Sequence, residues 1–129
     1  MAVRYFKYHT VITFSKDMGE KNMGVSVVIP NYNGEKYLKK CLDTLMEQTL
    51  KPEEIIIVDN NSKDKTAEIA EKNGAIVRHE YRQGKGNVVR SMFREIDADI
   101  YVMVDGDDTY PAEEVHKLIK PVVDGEADM

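Results

Sequence analysis

Asp105-Gly106-Asp107-Asp108-Thr109 follows directly on the apolar run Ile100-Tyr101-Val102-Met103-Val104. Three carboxylates in so short a space repel one another and cost stability unless a cation sits among them. Hard divalent cations such as Mg²⁺ and Mn²⁺ take oxygen ligands and usually share them with substrate phosphates. An apolar run of this length reads as a buried parallel strand, and in open α/β sheets ligands bind just beyond the carboxyl ends of strands. The cluster therefore points first to a metal–diphosphate site.

A second group of residues could meet an anion. Arg82, Lys85 and Arg90 surround the start of a helix expected from Gly84-Lys85-Gly86, and backbone N–H groups at a helix N-terminus favour negative charge. A solvated charge run explains the same residues equally well. These glycines are not a Walker loop: the spacing and the following Ser or Thr are missing. Nor are they a dinucleotide fingerprint, because they follow the third expected strand and Val89 stands where the third glycine belongs. His9, His79 and His116 show no metal-ligand spacing and read as structural or exposed, and Cys41 reads as core.

The elements that must carry these residues alternate from Val25 onward. Val25–Ile29 is a β-branched run ended by Pro30, followed by a helix pattern from Glu35 to Gln48. Glu54–Val58 is a second strand, stopped by the polar cluster Asp59-Asn60-Asn61-Ser62. Asp64 then suits an N-cap, and Asn73-Gly74 suits the end of that helix. Ala75–Arg78 is a third short strand, Gly84 opens the next helix, and the strand at Ile100 follows. Pro111 sits well at the first position of a last helix, whose end Pro121 would weaken. Strand–helix units in series imply an α/β fold: a Rossmann-like parallel sheet with helices on both faces. One sheet edge then gathers the segments after each strand: Pro30–Gly34, Asp59–Lys65, the stretch after Arg78, and Asp105–Pro111.

Composition sets the outer limits. The chain has 129 residues, 42% hydrophobic and 32% charged, which suits one soluble domain. Its net charge of −5 argues against a nucleic-acid partner. No apolar segment approaches the roughly 20 residues that span a bilayer, so no transmembrane segment is expected. The single cysteine excludes an internal disulfide and fits a reducing, cytoplasmic compartment. Residues 1–24 read as a leader and linker, and 25–129 as the domain. Within the leader, Tyr5–Phe14 carries aromatic and β-branched residues that suit a strand, an interface patch or a disordered segment. As a strand it could cover an exposed sheet edge.

Two family resemblances bear on the aspartates. Asp105-x-Asp107-x-Thr109 resembles the nucleophile motif of haloacid dehalogenase-like phosphohydrolases, with Asp105 as nucleophile and Asp107 as acid/base. That family carries its motif on the first strand of the core and needs a lysine and further acids well downstream, where this sequence has almost no room. The other resemblance covers Val25 to Met129. Val25-Ser26-Val27-Val28-Ile29-Pro30-Asn31-Tyr32-Asn33-Gly34-Glu35 resembles the opening of the family 2 glycosyltransferases, which have the GT-A fold. Ile57-Val58-Asp59-Asn60-Asn61-Ser62-Lys63-Asp64-Lys65-Thr66 is similar to their Val-Asp-Asp-x-Ser-x-Asp-x-Thr segment, and Asp105-Gly106-Asp107 stands where they carry the Asp-x-Asp metal motif. Arg82–Asn87 and Asp107–Pro111 look most like the dolichol-phosphate, or polyprenyl-phosphate, sugar transferase branch.

That resemblance implies a nucleotide-diphosphate sugar as donor and a polyprenyl phosphate as one acceptor, hence peripheral contact with a membrane. By carry-over Pro30, Tyr32 and Glu35 line the base and ribose pocket, and Val58 and Asn60 contact the base. Asn60 replaces the family's usual second aspartate, which implies an altered base preference or affinity, while Asp59 remains as the first acid. Asp105 and Asp107 would hold Mg²⁺ or Mn²⁺ against the diphosphate, with Thr109 completing the metal shell and Lys85 touching phosphate or sugar. Members of the family usually continue beyond the residue matching Met129, into a half that carries acceptor contacts and, in many members, a carboxylate base. The resemblance thus implies a truncated GT-A fold with no assigned catalytic base. Either a second copy or a partner chain completes the site, or the chain binds donor without transferring sugar.

Overall fold

The computed structural model describes residues 10–16, 23–106, 109 and 111–128. Its elements are β1 (Thr10–Lys16), β2 (Met23–Asn31), α1 (Glu35–Met46), β3 (Glu54–Asp59), α2 (Thr66–Lys72), β4 (Ile76–His79), α3 (Lys85–Glu95), β5 (Ile100–Val104) and α4 (Val115–Val123). A short 3₁₀ turn, Ala112–Glu114, precedes α4. The helix expected to start at Pro111 therefore begins with this tighter turn, in which the Glu114 N–H bonds the Pro111 carbonyl at 3.1 Å. Helix α1 stops at Met46 rather than Gln48.

The sheet order is β4-β3-β2-β1-β5. Strands β2, β3 and β4 are parallel, as helical crossovers require. Strand β1 is antiparallel to both β2 and β5, so β5 runs in the same direction as β2. The expected parallel arrangement with helices on both faces is present, and β1 is an antiparallel member added to it. The reason is chain length. Only positions 17–22 separate β1 from β2, whereas a parallel crossover needs about a dozen residues or more. Thr10–Phe14 of the aromatic leader thus forms a strand, but inside the sheet rather than along an edge; β4 and β5 are the edges. Tyr5–His9 lie outside the described residues.

Alternation along the strands sends side chains to two cores. Val25, Val27, Ile29, Ile55 and Ile57 pack with Leu38, Cys41, Leu42 and Leu45 of α1, Ala70 of α2 and Val102, with Val115 and Ile119 of α4 against them. Val28, Ile56 and Val58 pack on the other face with Val88 and Met92 of α3. Burial on both faces explains why β2 and β3 read as continuous apolar runs. Among the described residues, no helix is long and apolar enough to cross a membrane.

Register places the carboxyl ends together. Asn31 pairs with Asp59, and Asp59 with His79. Val11 stands between Val28 and Met103, so Asp105, two residues past Met103, projects to the level of Pro30. At about 4.8 Å per strand, β1 sets it roughly 10 Å to the side.

Candidate functional site

Two loops at this edge lock together. The Asn33 N–H bonds the Ser62 hydroxyl at 2.9 Å, and the Asn33 side-chain oxygen accepts the Lys63 N–H at 2.8 Å. The Gly34 N–H bonds the Thr66 hydroxyl at 2.9 Å. Asn33 and Asn61 hold φ values of 50° and 61°, the left-handed region that asparagine tolerates better than most residues. Gly34 needs its small size, because a Cβ there would run into the Asn31 side chain. The Asn31 side-chain oxygen is itself buried without a hydrogen-bond partner.

Asp59 is buried at the head of β3. One carboxylate oxygen accepts the Ser62 N–H at 3.3 Å, and the other lies 3.3 Å from His79 Nδ1. His79 stacks on Tyr81, ring centroids 5.9 Å apart and nearly parallel. The sequence reading leaves His79 as structural or exposed. Its partnership with Asp59 comes from β3–β4 pairing, and no spacing rule marks two residues so far apart.

Asn60 is committed to a third loop. Its amide donates to the carbonyls of Glu80 at 2.8 Å and Arg82 at 3.0 Å, and its oxygen accepts the Gly84 N–H at 3.0 Å. With the residue buried, this side chain shapes the loop. An aspartate could not make both donations.

Glu80, which the motif reading passes over, holds the same loop from its other side. Its carboxylate accepts from the Ser91 hydroxyl, from the Arg82 N–H at 2.8 Å and from Arg82 Nε at 3.2 Å. The Ser91 bond, then the Arg82 side chain and N–H, hold its pKa down to about 2. Reciprocally, Glu80 raises the Arg82 pKa above its ordinary value. Gly84, at φ 123°, adopts a conformation that L side chains rarely take, and Lys85 begins α3 immediately after it.

The remaining candidates divide by exposure. Tyr32 is exposed and Pro30 half-buried, so both are accessible at the head of β2. Val58 is 3% exposed and faces the α3 core, so its side chain is not available to a ligand. The Glu35 carboxylate accepts the Lys65 N–H at 2.9 Å, so it is engaged in the loop lock. Lys85 and Thr109 are exposed, and Asp105 is half-buried. Asp107 lies outside the described residues. Among the described residues no three His, Cys, Asp or Glu side chains are grouped to hold a metal. Oxygen donors from Asp105 and Thr109 nonetheless suit a hard cation, which commonly draws its remaining ligands from substrate phosphates and water.

A family model for glycosyl transferase family 2 matches residues 26–129. The chain is 43% identical over 108 residues to protein RfbJ of Shigella flexneri, covering 84% of this chain and 83% of that protein. It is 36% identical over 108 residues to the low-salt glycan biosynthesis hexosyltransferase Agl6 of Haloferax volcanii, covering 81% of this chain but 26% of Agl6. Among solved structures it is similar to glucosyl-3-phosphoglycerate synthase from Mycobacterium tuberculosis in complex with Mn²⁺ and UDP-glucose. There the TM-score is 0.56 at 29% identity, over 78% of this chain and 39% of the synthase. A complex of that synthase with UDP gives a TM-score of 0.55 at 26% identity. The chain thus spans most of RfbJ but well under half of the other two proteins.

Proposed function

This chain belongs to glycosyltransferase family 2, and from that premise we propose that its carboxyl edge binds a nucleotide-diphosphate sugar, with UDP as the carrier, for transfer to an acceptor. The observation that carries the reading is the convergence of four segments on one edge: Pro30–Glu35, Asp59–Thr66, Glu80–Lys85 and the segment opening at Asp105. The Mn²⁺ and UDP-glucose bound by the M. tuberculosis synthase support the choice of ligand.

In this reading Tyr32 and Pro30 flank the base and ribose. Asp59, buried and kept in place by Ser62 and His79, accepts from the nucleoside. The backbone at Val58 and the loop shaped by Asn60 complete the wall, and Glu35 supports it from behind. Arg82 and Lys85 face the diphosphate. Asp105, Asp107 and Thr109 would hold Mn²⁺ or Mg²⁺. When bound, that cation stabilises the negative charge that builds on the departing nucleoside diphosphate.

A polyprenyl phosphate is the proposed acceptor, by likeness of Arg82–Asn87 and Asp107–Pro111 to that branch, and it would bring the site to a membrane surface. The competing reading keeps donor binding and drops transfer; the four segments that converge on this edge are all donor-side in the likeness that names them.

Calorimetric titration of UDP and GDP, with and without Mn²⁺, tests the shared premise. Metal-dependent UDP binding is expected, and its absence would overturn the donor reading. Sugar transfer from a UDP-sugar to a polyprenyl phosphate by the 129-residue chain would reject the competing reading.

A further inference from the structure

Glu80 is a buried acid in a turn between an edge strand and a helix, and burying a carboxylate is unfavourable unless donors surround it. Here they do. Ser91 of α3 supplies a hydroxyl, and Arg82 supplies both its backbone N–H and its guanidinium. The Glu80 N–H is tied to the Asp59 carbonyl at 3.0 Å, and Asn60 grips the Glu80 and Arg82 carbonyls and the Gly84 N–H. A neutral side chain could hold the turn. Orienting a guanidinium calls for an acid, because charge-assisted bonds in a fixed fork set its direction. Only one face of the fork is used: Glu80 takes Nε at 3.2 Å and one Nη at 3.4 Å, and the Arg82 side chain stays 60% exposed. Five N–H donors are available on a guanidinium, so several remain for an anion at the carboxyl edge.

We propose that Glu80 is a positioning residue for the donor diphosphate: anchored on Ser91, its carboxylate aims Arg82 and sets the basic turn that leads into Lys85. This rests on the donor reading above. Glu80 touches neither donor nor metal; it acts through Arg82.

The test compares UDP with uridine, both titrated calorimetrically in the presence of Mn²⁺. Glu80→Gln is expected to weaken UDP by about tenfold, the equivalent of one charge-assisted hydrogen bond, and to leave uridine at its wild-type affinity. Damage to the loop as a whole would weaken both. Arg82→Gln should give a similar loss, and the double variant no further loss. An unchanged UDP-to-uridine ratio in Glu80→Gln, or losses that simply add in the double variant, would overturn the proposal. Should Glu80→Gln not fold, Ser91→Ala decides: it keeps the acid and removes one anchor, and it must lower the same ratio. Wild-type protein that fails to bind UDP with Mn²⁺ would instead overturn the donor reading, and this role with it.

Discussion

Glu35 and Asp64 cap each other's helices. The Asp64 carboxylate accepts the Glu35 N–H at the start of α1 at 3.2 Å, and the Glu35 carboxylate accepts the Lys65 N–H that precedes α2 at 2.9 Å. Asp64 also accepts the Thr66 N–H at 3.0 Å and the Thr66 hydroxyl. Helix N-termini carry unsatisfied N–H groups and a partial positive charge, so each carboxylate serves two purposes. It caps a helix, and it welds the loop after β2 to the loop after β3.

Lys65, not the expected Asp64, holds the N-cap position of α2, but the Asp64 carboxylate makes the capping bonds from one residue earlier, so Asp64→Ala should cost about 1–2 kcal/mol, comparable to removal of an N-cap. Glu35→Ala should cost less, because one hydrogen bond is lost. Urea unfolding of both variants measures this, and equal stability to wild type for Asp64→Ala would contradict the arrangement.

Stability should fall in acid, and the sign follows from two lowered carboxyls. Burial raises the Asp64 pKa, and bonds from the Thr66 hydroxyl and from the Glu35 and Thr66 N–H groups outweigh it, leaving it below its ordinary value. Glu80 falls from 4.5 to about 2. A carboxyl lowered on folding stabilises above its unfolded pKa and loses that contribution as pH drops through the folded value. Wild type should therefore lose stability between pH 4.5 and about 2. Glu80→Gln should lose less over that window, as followed by thermal melting against pH.

Asn60→Asp should loosen the turn at 80–84. Two donations become contacts between a carboxylate and carbonyl oxygens, at a cost of about 1–3 kcal/mol for buried groups left unsatisfied. Faster hydrogen exchange at Glu80 and Arg82, whose N–H groups bond the Asp59 carbonyl and the Glu80 carboxylate, is the expected readout. Unchanged exchange would show that the Asn60 amide does not hold the loop.

Asp105→Asn should abolish the Mn²⁺ dependence of UDP binding, measured by titration with and without Mn²⁺, since Asp105 stands just beyond β5 at the carboxyl edge. Retained Mn²⁺ dependence would remove Asp105 from the metal shell.

Much of the fold was legible because its signals are local. The apolar runs at Val25, Ile55 and Ile100 are strands, and the amphipathic patterns at Leu38 and Val88 are helices. The Asn73-Gly74 stop is where expected, with Gly74 at φ 81°. The segment order that resembles family 2 glycosyltransferases is also local, and the family match over residues 26–129 agrees with it. Less legible was the duty of each polar residue. Asn60 and Glu35 carry the resemblance to a nucleotide pocket, yet their side chains are spent on neighbouring loops. Val58 aligns with a base contact, but strand alternation turns its side chain into the core.

The sequence by itself determined the alternating strands and helices, the family, and the gathering of Tyr32, Asp59, Lys85 and Asp105 at the carboxyl ends of strands. The family follows from the resemblance of the motifs after the strands; the elements and their gathering follow from periodicity and from the direction that helical crossovers impose on parallel strands. Tertiary structure alone decided that β1 enters the sheet antiparallel between β2 and β5, that Asp59 meets His79, and that Glu80 rather than a motif residue holds Arg82. Strand order and register join residues far apart in the chain, as β1 with β5 and Asp59 with His79, and the packing of α3 brings Ser91 to the Glu80 carboxylate that holds Arg82 two residues on; a buried polar group must take whatever partner the fold brings within reach.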